Sequence, residues 1–114
     1  MPGSERRWSL DAARALLPDV RARTSRAVEA TERLLSERAA LSEGDPRRDR
    51  LDRRVQAEVS RWAREMEALG LDVKGLWLVD FDSGSGLYCW KWPEETLDWF
   101  HGYEDGFAGR TRIQ

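Results

Sequence analysis

The chain has 114 residues, 40% of them hydrophobic and 35% charged, with six Trp and a formal net charge of −2. That is long enough for one domain with a single core and too aromatic for a disordered chain. It is also too near neutral for the basic face on which duplex nucleic-acid binders depend. Cys89 is the one cysteine, which excludes an intramolecular disulfide and with it a secreted disulfide scaffold. No apolar run approaches the roughly 20 residues of a membrane span. The opening Met1-Pro2-Gly3-Ser4-Glu5-Arg6-Arg7 is polar, without the apolar stretch of a signal peptide, so a cytoplasmic location is expected. Residues 1–70 hold 15 Arg and no Lys against 13 acids, and residues 71–114 hold 4 basic residues against 8 acids.

Ser9 has the chemistry of a helix N-cap, and Asp11 follows in the first turn. Apolar or small residues then recur at Leu10, Ala13, Leu17, Val20, Thr24, Ala27, Thr31, Leu34 and Leu41, interrupted by Arg38. Steps of three and four define a helix seam. Pro18 lies inside it and predicts a kink, or a split into a short lead helix and a long one. Gly44-Asp45-Pro46 ends the first helix, with Asp45 as a cap and Pro46 at the start of the next. Leu51, Val55, Val59, Trp62, Met66 and Leu69 form the second stripe, and Gly70 suits the C′ position with Leu71 behind it. Two helices of about 24 residues and a short connection predict an antiparallel hairpin.

Beyond Gly70 the period changes to that of strands: Leu76 to Phe81, Leu87 to Trp92 and Leu97 to His101, with turns at Asp82–Gly86 and Pro93–Thr96. A first hairpin centred on Gly84-Ser85 sets Tyr88 against Phe81, Cys89 against Asp80 and Trp90 against Val79. A second centred on Glu94-Glu95 sets Trp92 against Leu97, Lys91 against Asp98, Trp90 against Trp99 and Tyr88 against His101, pairing opposite charges and aromatic rings. His101 then shares a face with the tryptophans, and Cys89 and Asp80 lie on the other. The expected architecture is α+β: one domain over 1–114, a long helical hairpin (about 9–69) packed on a three-stranded antiparallel meander (about 76–101). A Gly-rich tail, 102–114, lies on the surface.

Several residues could carry chemistry. His101, the one histidine, is in the plainer reading a core-rim residue satisfied by a backbone or carboxylate partner, and in the functional one a ligand or base beside Glu104 or Glu94. Cys89 reads as a small buried strand residue. On opposite faces, Cys89 and His101 make neither a nucleophile pair nor a metal site, and one of each falls short of the four ligands of a structural zinc. No metal and no cofactor are therefore expected. Asp80 is an acid in an apolar strand and needs a partner, for which Arg110 or Lys91 is suited. Gly106-Phe107-Ala108-Gly109-Arg110 offers backbone N–H groups and a guanidinium to an anion, or simply pins the tail. The Trp-rich face could stack bases, but covering the helical hairpin accounts for it more simply.

These residues give the chain a resemblance to the prokaryotic family catalogued as domain of unknown function 2203. The opening Ser9-Leu10-Asp11-Ala12-Ala13-Arg14-Ala15-Leu16-Leu17-Pro18, the strand Val79-Asp80-Phe81 and the run Cys89-Trp90, Glu94, His101, Gly106-Phe107-Ala108-Gly109-Arg110 carry it. Pro93 and Phe100 depart from the family's usual Gly and Trp. The family supplies no reaction, but the resemblance implies that Asp80, Cys89, Trp90, Glu94, His101 and Arg110 belong to one motif. The leading expectation is a small interaction or assembly module, a homodimer through the helices, with no membrane or nucleic-acid partner and no enzyme activity. The alternative is a ligand- or metal-binding protein or enzyme built on that motif, taking a small-molecule or anionic ligand. A nucleic-acid role ranks third.

Overall fold

The computed structural model describes residues 6–114. Helix α1 spans Leu10–Ala39, with the Ser9 hydroxyl accepting the Ala12 N–H at 3.1 Å as its cap. Its buried residues, Ala13, Leu17, Val20, Thr24, Ala27, Thr31 and Leu34, all fall on the expected seam. Pro18 does not split it. The ring has no N–H for the Arg14 carbonyl, but the helix is anchored on both sides of that gap. Leu17 and Val20 are in the core, the Arg14 side chain donates to the Leu97 carbonyl (3.1 and 3.2 Å), and Arg21 donates to that of Glu94 (3.0 Å).

Helix α2 spans Arg47–Ala68, so the two helices have 30 and 22 residues rather than equal lengths. The Asp45 carboxylate accepts the Arg47 N–H at 2.9 Å and ties down its start. At its end Gly70, with φ +93°, lets its own N–H reach Glu67 O (2.9 Å) and that of Leu71 reach Met66 O (3.1 Å), the paired bonds of a Schellman turn. Where the helices meet, the Trp62 indole N–H donates to Thr24 Oγ1 at 2.8 Å, both groups fully buried.

The sheet has five strands, not three: β1 (Asp72–Gly75), β2 (Leu78–Asp82), β3 (Leu87–Lys91), β4 (Trp99–His101) and β5 (Thr111–Arg112), antiparallel in sequential order. Two of them lay unseen in the sequence. β1 holds one large apolar residue, Val73, and its register breaks between Val73 and Gly75. β5 is two exposed residues in the segment expected to be tail, behind a single 3-10 turn at Phe107–Gly109. Between β1 and β2, Trp77 takes a left-handed conformation (φ +59°) and packs edge-on against Trp62, ring centroids 4.9 Å apart.

The first hairpin has the expected register, with Val79 opposite Trp90, Asp80 opposite Cys89 and Phe81 opposite Tyr88. The second is shifted by one residue: Leu87 faces His101, Tyr88 faces Phe100 and Cys89 faces Trp99. The supposed two-residue turn is a loop over 92–98, pinned at several points. Trp92 N–H donates to Trp77 O, Glu94 N–H to Lys91 O, and Leu97 is buried in the core at 1% exposure. Burial of Leu97 outweighs the Lys91–Asp98 pair, and Asp98 instead meets Arg14 and Arg112, each at 3.7 Å. A slip of one reverses every side chain of a strand, so Trp99 and His101 join Asp80 and Cys89 on the outer face.

The inner face carries Val79, Phe81 and Trp90, none with measurable exposure, against α1 and α2. Burying a side chain of the size of Phe81 stabilises by about 1.5–3 kcal/mol. Trp8 closes the end of this core, its indole N–H on Gly70 O (3.2 Å), its backbone N–H on Asp82 O (2.7 Å) and its ring edge-on to Phe81. Among the described residues, no helix is long and apolar enough to cross a membrane.

Candidate functional site

On the outer face of β2, β3 and β4, three side chains that the sequence divided between two faces stand together. Asp80, Cys89 and His101 are 1%, 1% and 4% exposed, and one ligand atom from each lies within 4.8 Å of the others. Each strand contributes one member, so the backbone ladder holds the three in place. Among the described residues no other set of three His, Cys, Asp or Glu side chains is so placed.

The hydrogen bonds define the roles of the atoms. His101 Nδ1 lies 2.8 Å from the Gly102 carbonyl, which only accepts, so Nδ1 carries a hydrogen. Nε2 is thereby turned to the cluster, 3.0 Å from Asp80 Oδ2. The partner of Asp80 is His101, not Arg110 or Lys91. The second carboxylate oxygen, Asp80 Oδ1, is buried without a hydrogen-bond partner. Burial raises the Asp80 carboxyl above its ordinary range, against the pull of the His101 and Lys74 charges. Burial, with the Asp80 charge beside it, pushes the Cys89 thiol up to about 12. Such a thiol is no free nucleophile.

Arg110 connects this cluster to Glu94. Its guanidinium makes a two-pronged pair with the Glu94 carboxylate (2.6 and 3.2 Å), donates to Cys89 Sγ at 3.9 Å and is sandwiched between the Trp99 and Phe107 rings. Glu94 in turn accepts the Lys91 N–H (2.9 Å), and its carbonyl accepts the Trp90 indole N–H (2.8 Å). All six motif residues thus belong to one network. Asp80, Cys89 and His101 form its centre, Arg110 and Glu94 its flank, and Trp90 a support on the inner face. Glu104, the other acid considered for His101, is exposed.

The cluster is the floor of a cavity of about 250 Å³, whose walls are Leu78, Leu87, Phe107, Lys74 and Tyr103. Lys74 escaped the sequence reading because β1 itself did, and Tyr103 because it lay in the supposed tail. The Tyr103 hydroxyl is engaged by Asp82 at 2.7 Å. A larger cleft of about 480 Å³ lies between α1 and the 92–98 loop, but its Arg14 and Arg21 are committed to backbone carbonyls and it holds no comparable cluster.

The fold and this face define a small α+β protein with a buried carboxylate–thiol–imidazole centre open to a cavity. The chain belongs to the family described as "Uncharacterized conserved protein (DUF2203)", whose model matches residues 6–113. No curated protein and no solved structure matches it.

Proposed function

We propose that the chain is a metal-binding protein in which Asp80, Cys89 and His101 hold a divalent ion of the zinc class. The observation that carries this reading is the convergence of one oxygen, one sulfur and one nitrogen donor within 4.8 Å at the floor of a cavity. Zinc takes this donor set at about 2.0–2.3 Å, and a thiolate beside an imidazole favours it over harder cations. His101 is oriented as metal-bound histidines are, one ring nitrogen on a carbonyl and the other turned into the cluster, where an ion would take the place of its 3.0 Å contact with Asp80 Oδ2. A metal would also engage Asp80 Oδ1, which has no other partner. Of the two grounds for expecting no metal, the placing of Cys89 and His101 on opposite faces is absent from the folded chain; the other stands, since three donors do not close a four-ligand structural site.

Metal-free protein, titrated with zinc against a chromophoric competitor, tests the reading. One zinc per chain is expected, with affinity falling about a hundredfold or more in Cys89→Ala and His101→Ala, since each removes a ligand. No competition by the wild-type protein, or wild-type affinity retained in both variants, overturns it. A homodimer through the helices has narrower support. Among the described residues, Leu35 is the one large apolar side chain exposed on either helix, and Glu32, Arg33 and Glu37 adjoin it in sequence. Sedimentation equilibrium at micromolar protein tests the dimer, and a monomer mass throughout removes it.

A further inference from the structure

Three protein ligands leave a tetrahedral ion one position to fill. On the sheet side that position is closed, because Asp80, Cys89 and His101 are themselves all but fully buried. On the Cys89 flank it is closed by Arg110, whose guanidinium is held by Glu94 and two aromatic rings. The remaining direction is the cavity.

What the cavity offers a visitor is specific. Leu78, Leu87 and Phe107 present apolar surface. The Tyr103 hydroxyl is taken by Asp82. Lys74 stands in the wall, within electrostatic reach of Asp80, and has no hydrogen-bond or ion-pair partner among the described residues. A zinc ion with a thiolate, a carboxylate and a neutral imidazole is electrically neutral. With the centre neutral, Lys74 is the one cation lining the loaded cavity among the described residues, with Asp72 within electrostatic reach on the same strand but outside the lining. About 250 Å³ corresponds to roughly eight waters of liquid volume, so the visitor is small.

Resting on the metal reading above, we propose that the fourth position is a ligand site for a small monocarboxylate. Its oxygen binds the metal, Lys74 supplies the countercharge, and its apolar body lies against Phe107.

Cobalt-loaded protein provides the test, since cobalt(II) accepts the same donors and its visible bands report what occupies each position. Benzoate is the probe and benzamide its neutral counterpart. Benzoate should shift the cobalt bands to saturation, and benzamide should not. In Lys74→Met the benzoate dissociation constant should rise about threefold, the worth of one charge pair on an exposed lysine, and in Phe107→Ala it should rise severalfold. Bands indifferent to benzoate, equal response to benzamide, or an unchanged constant in Lys74→Met each overturn the ligand site while a thiolate-to-cobalt band is present. Absence of that thiolate band is a separate result, and it overturns the metal reading and this site with it.

Discussion

Removal of the His101 ring isolates the cost of the Asp80 charge. In metal-free protein, His101→Ala leaves a carboxylate 1% exposed, one oxygen already unpartnered and the other now without the imidazole at 3.0 Å. If the group stays ionised, an orphaned buried charge costs about 3–5 kcal/mol. If it takes up a proton instead, holding an acid of ordinary pKa about 3.9 neutral at pH 7 costs about 4 kcal/mol, at about 1.4 kcal/mol for each pH unit. The two routes agree at pH 7 and differ below it. On the second, Asp80 is raised in the folded state, so the folded chain binds more protons than the unfolded one above pH about 3.9, and stability falls as pH rises. The loss should then shrink to about 1.5 kcal/mol at pH 5, beyond whatever the missing ring costs in packing. Lys74, Cys89 and Asp72 also face this carboxyl and are unchanged by the substitution. Urea denaturation in EDTA, followed by tryptophan fluorescence at both pH values, measures it. In thermal melts, 114 residues give roughly 4 °C per kcal/mol. Asp80→Asn added to His101→Ala should recover about 2–3 kcal/mol at pH 7 by removing the charge. A loss under about 1 kcal/mol at pH 7, or no recovery in the double variant, would refute the reasoning.

Thr24→Val keeps the shape of the helix seam but leaves the buried Trp62 N–H unpaired, at a cost of about 1–3 kcal/mol in denaturant; a loss within error would mean water reaches that indole. Gly86→Ala would place a Cβ 2.2 Å from Phe100 Cζ, so about 1–3 kcal/mol should be lost and largely regained when Phe100→Leu is added. The hydrogen bond and charge of Arg47, with the Arg47 N–H, hold the Asp45 carboxyl down to about 2. Its contribution is present above the ordinary pKa of about 3.9 and is lost as pH falls through about 2. Asp45→Asn should therefore flatten the acid limb of the helix signal in circular dichroism over that window, and an unchanged limb would count against the link.

Local periodicity was readable, and long-range burial was not. The seven buried residues of α1 follow a seam that needs only neighbours three and four apart. The β2–β3 register was equally accessible, because the turn at Ser83–Gly86 closes on itself through the Ser83 N–H and Gly86 O, 2.8 Å apart. The second hairpin failed at one residue. Leu97 is drawn into a core formed with two helices that lie well before it in the chain, and nothing in the loop's own spacing announces it. That single slip moves His101 to the wrong face and hides the cluster, although the family resemblance groups all six members of the motif, His101 included. β1 was missed because Asp72-Val73-Lys74-Gly75 is too short and polar to show alternation.

The two outer strands also bear on how this sheet behaves in a crowded solution. An unprotected sheet edge is a row of free amides and carbonyls onto which another chain can add. Here β1 is four residues long, with its register broken between Val73 and Gly75 and Lys74 at the break. β5 is two residues long and sits directly after Arg110, with Arg112 as its second residue. Neither edge provides enough regular backbone for a second strand to align, and each brings positive charge against like charge in any edge-to-edge approach. A five-stranded sheet with a tryptophan-rich sequence is in this way kept from growing at its ends. The lysine that deters growth at one edge is the same side chain that stands in the cavity wall, so a substitution at Lys74 made to study binding should be checked for aggregation as well.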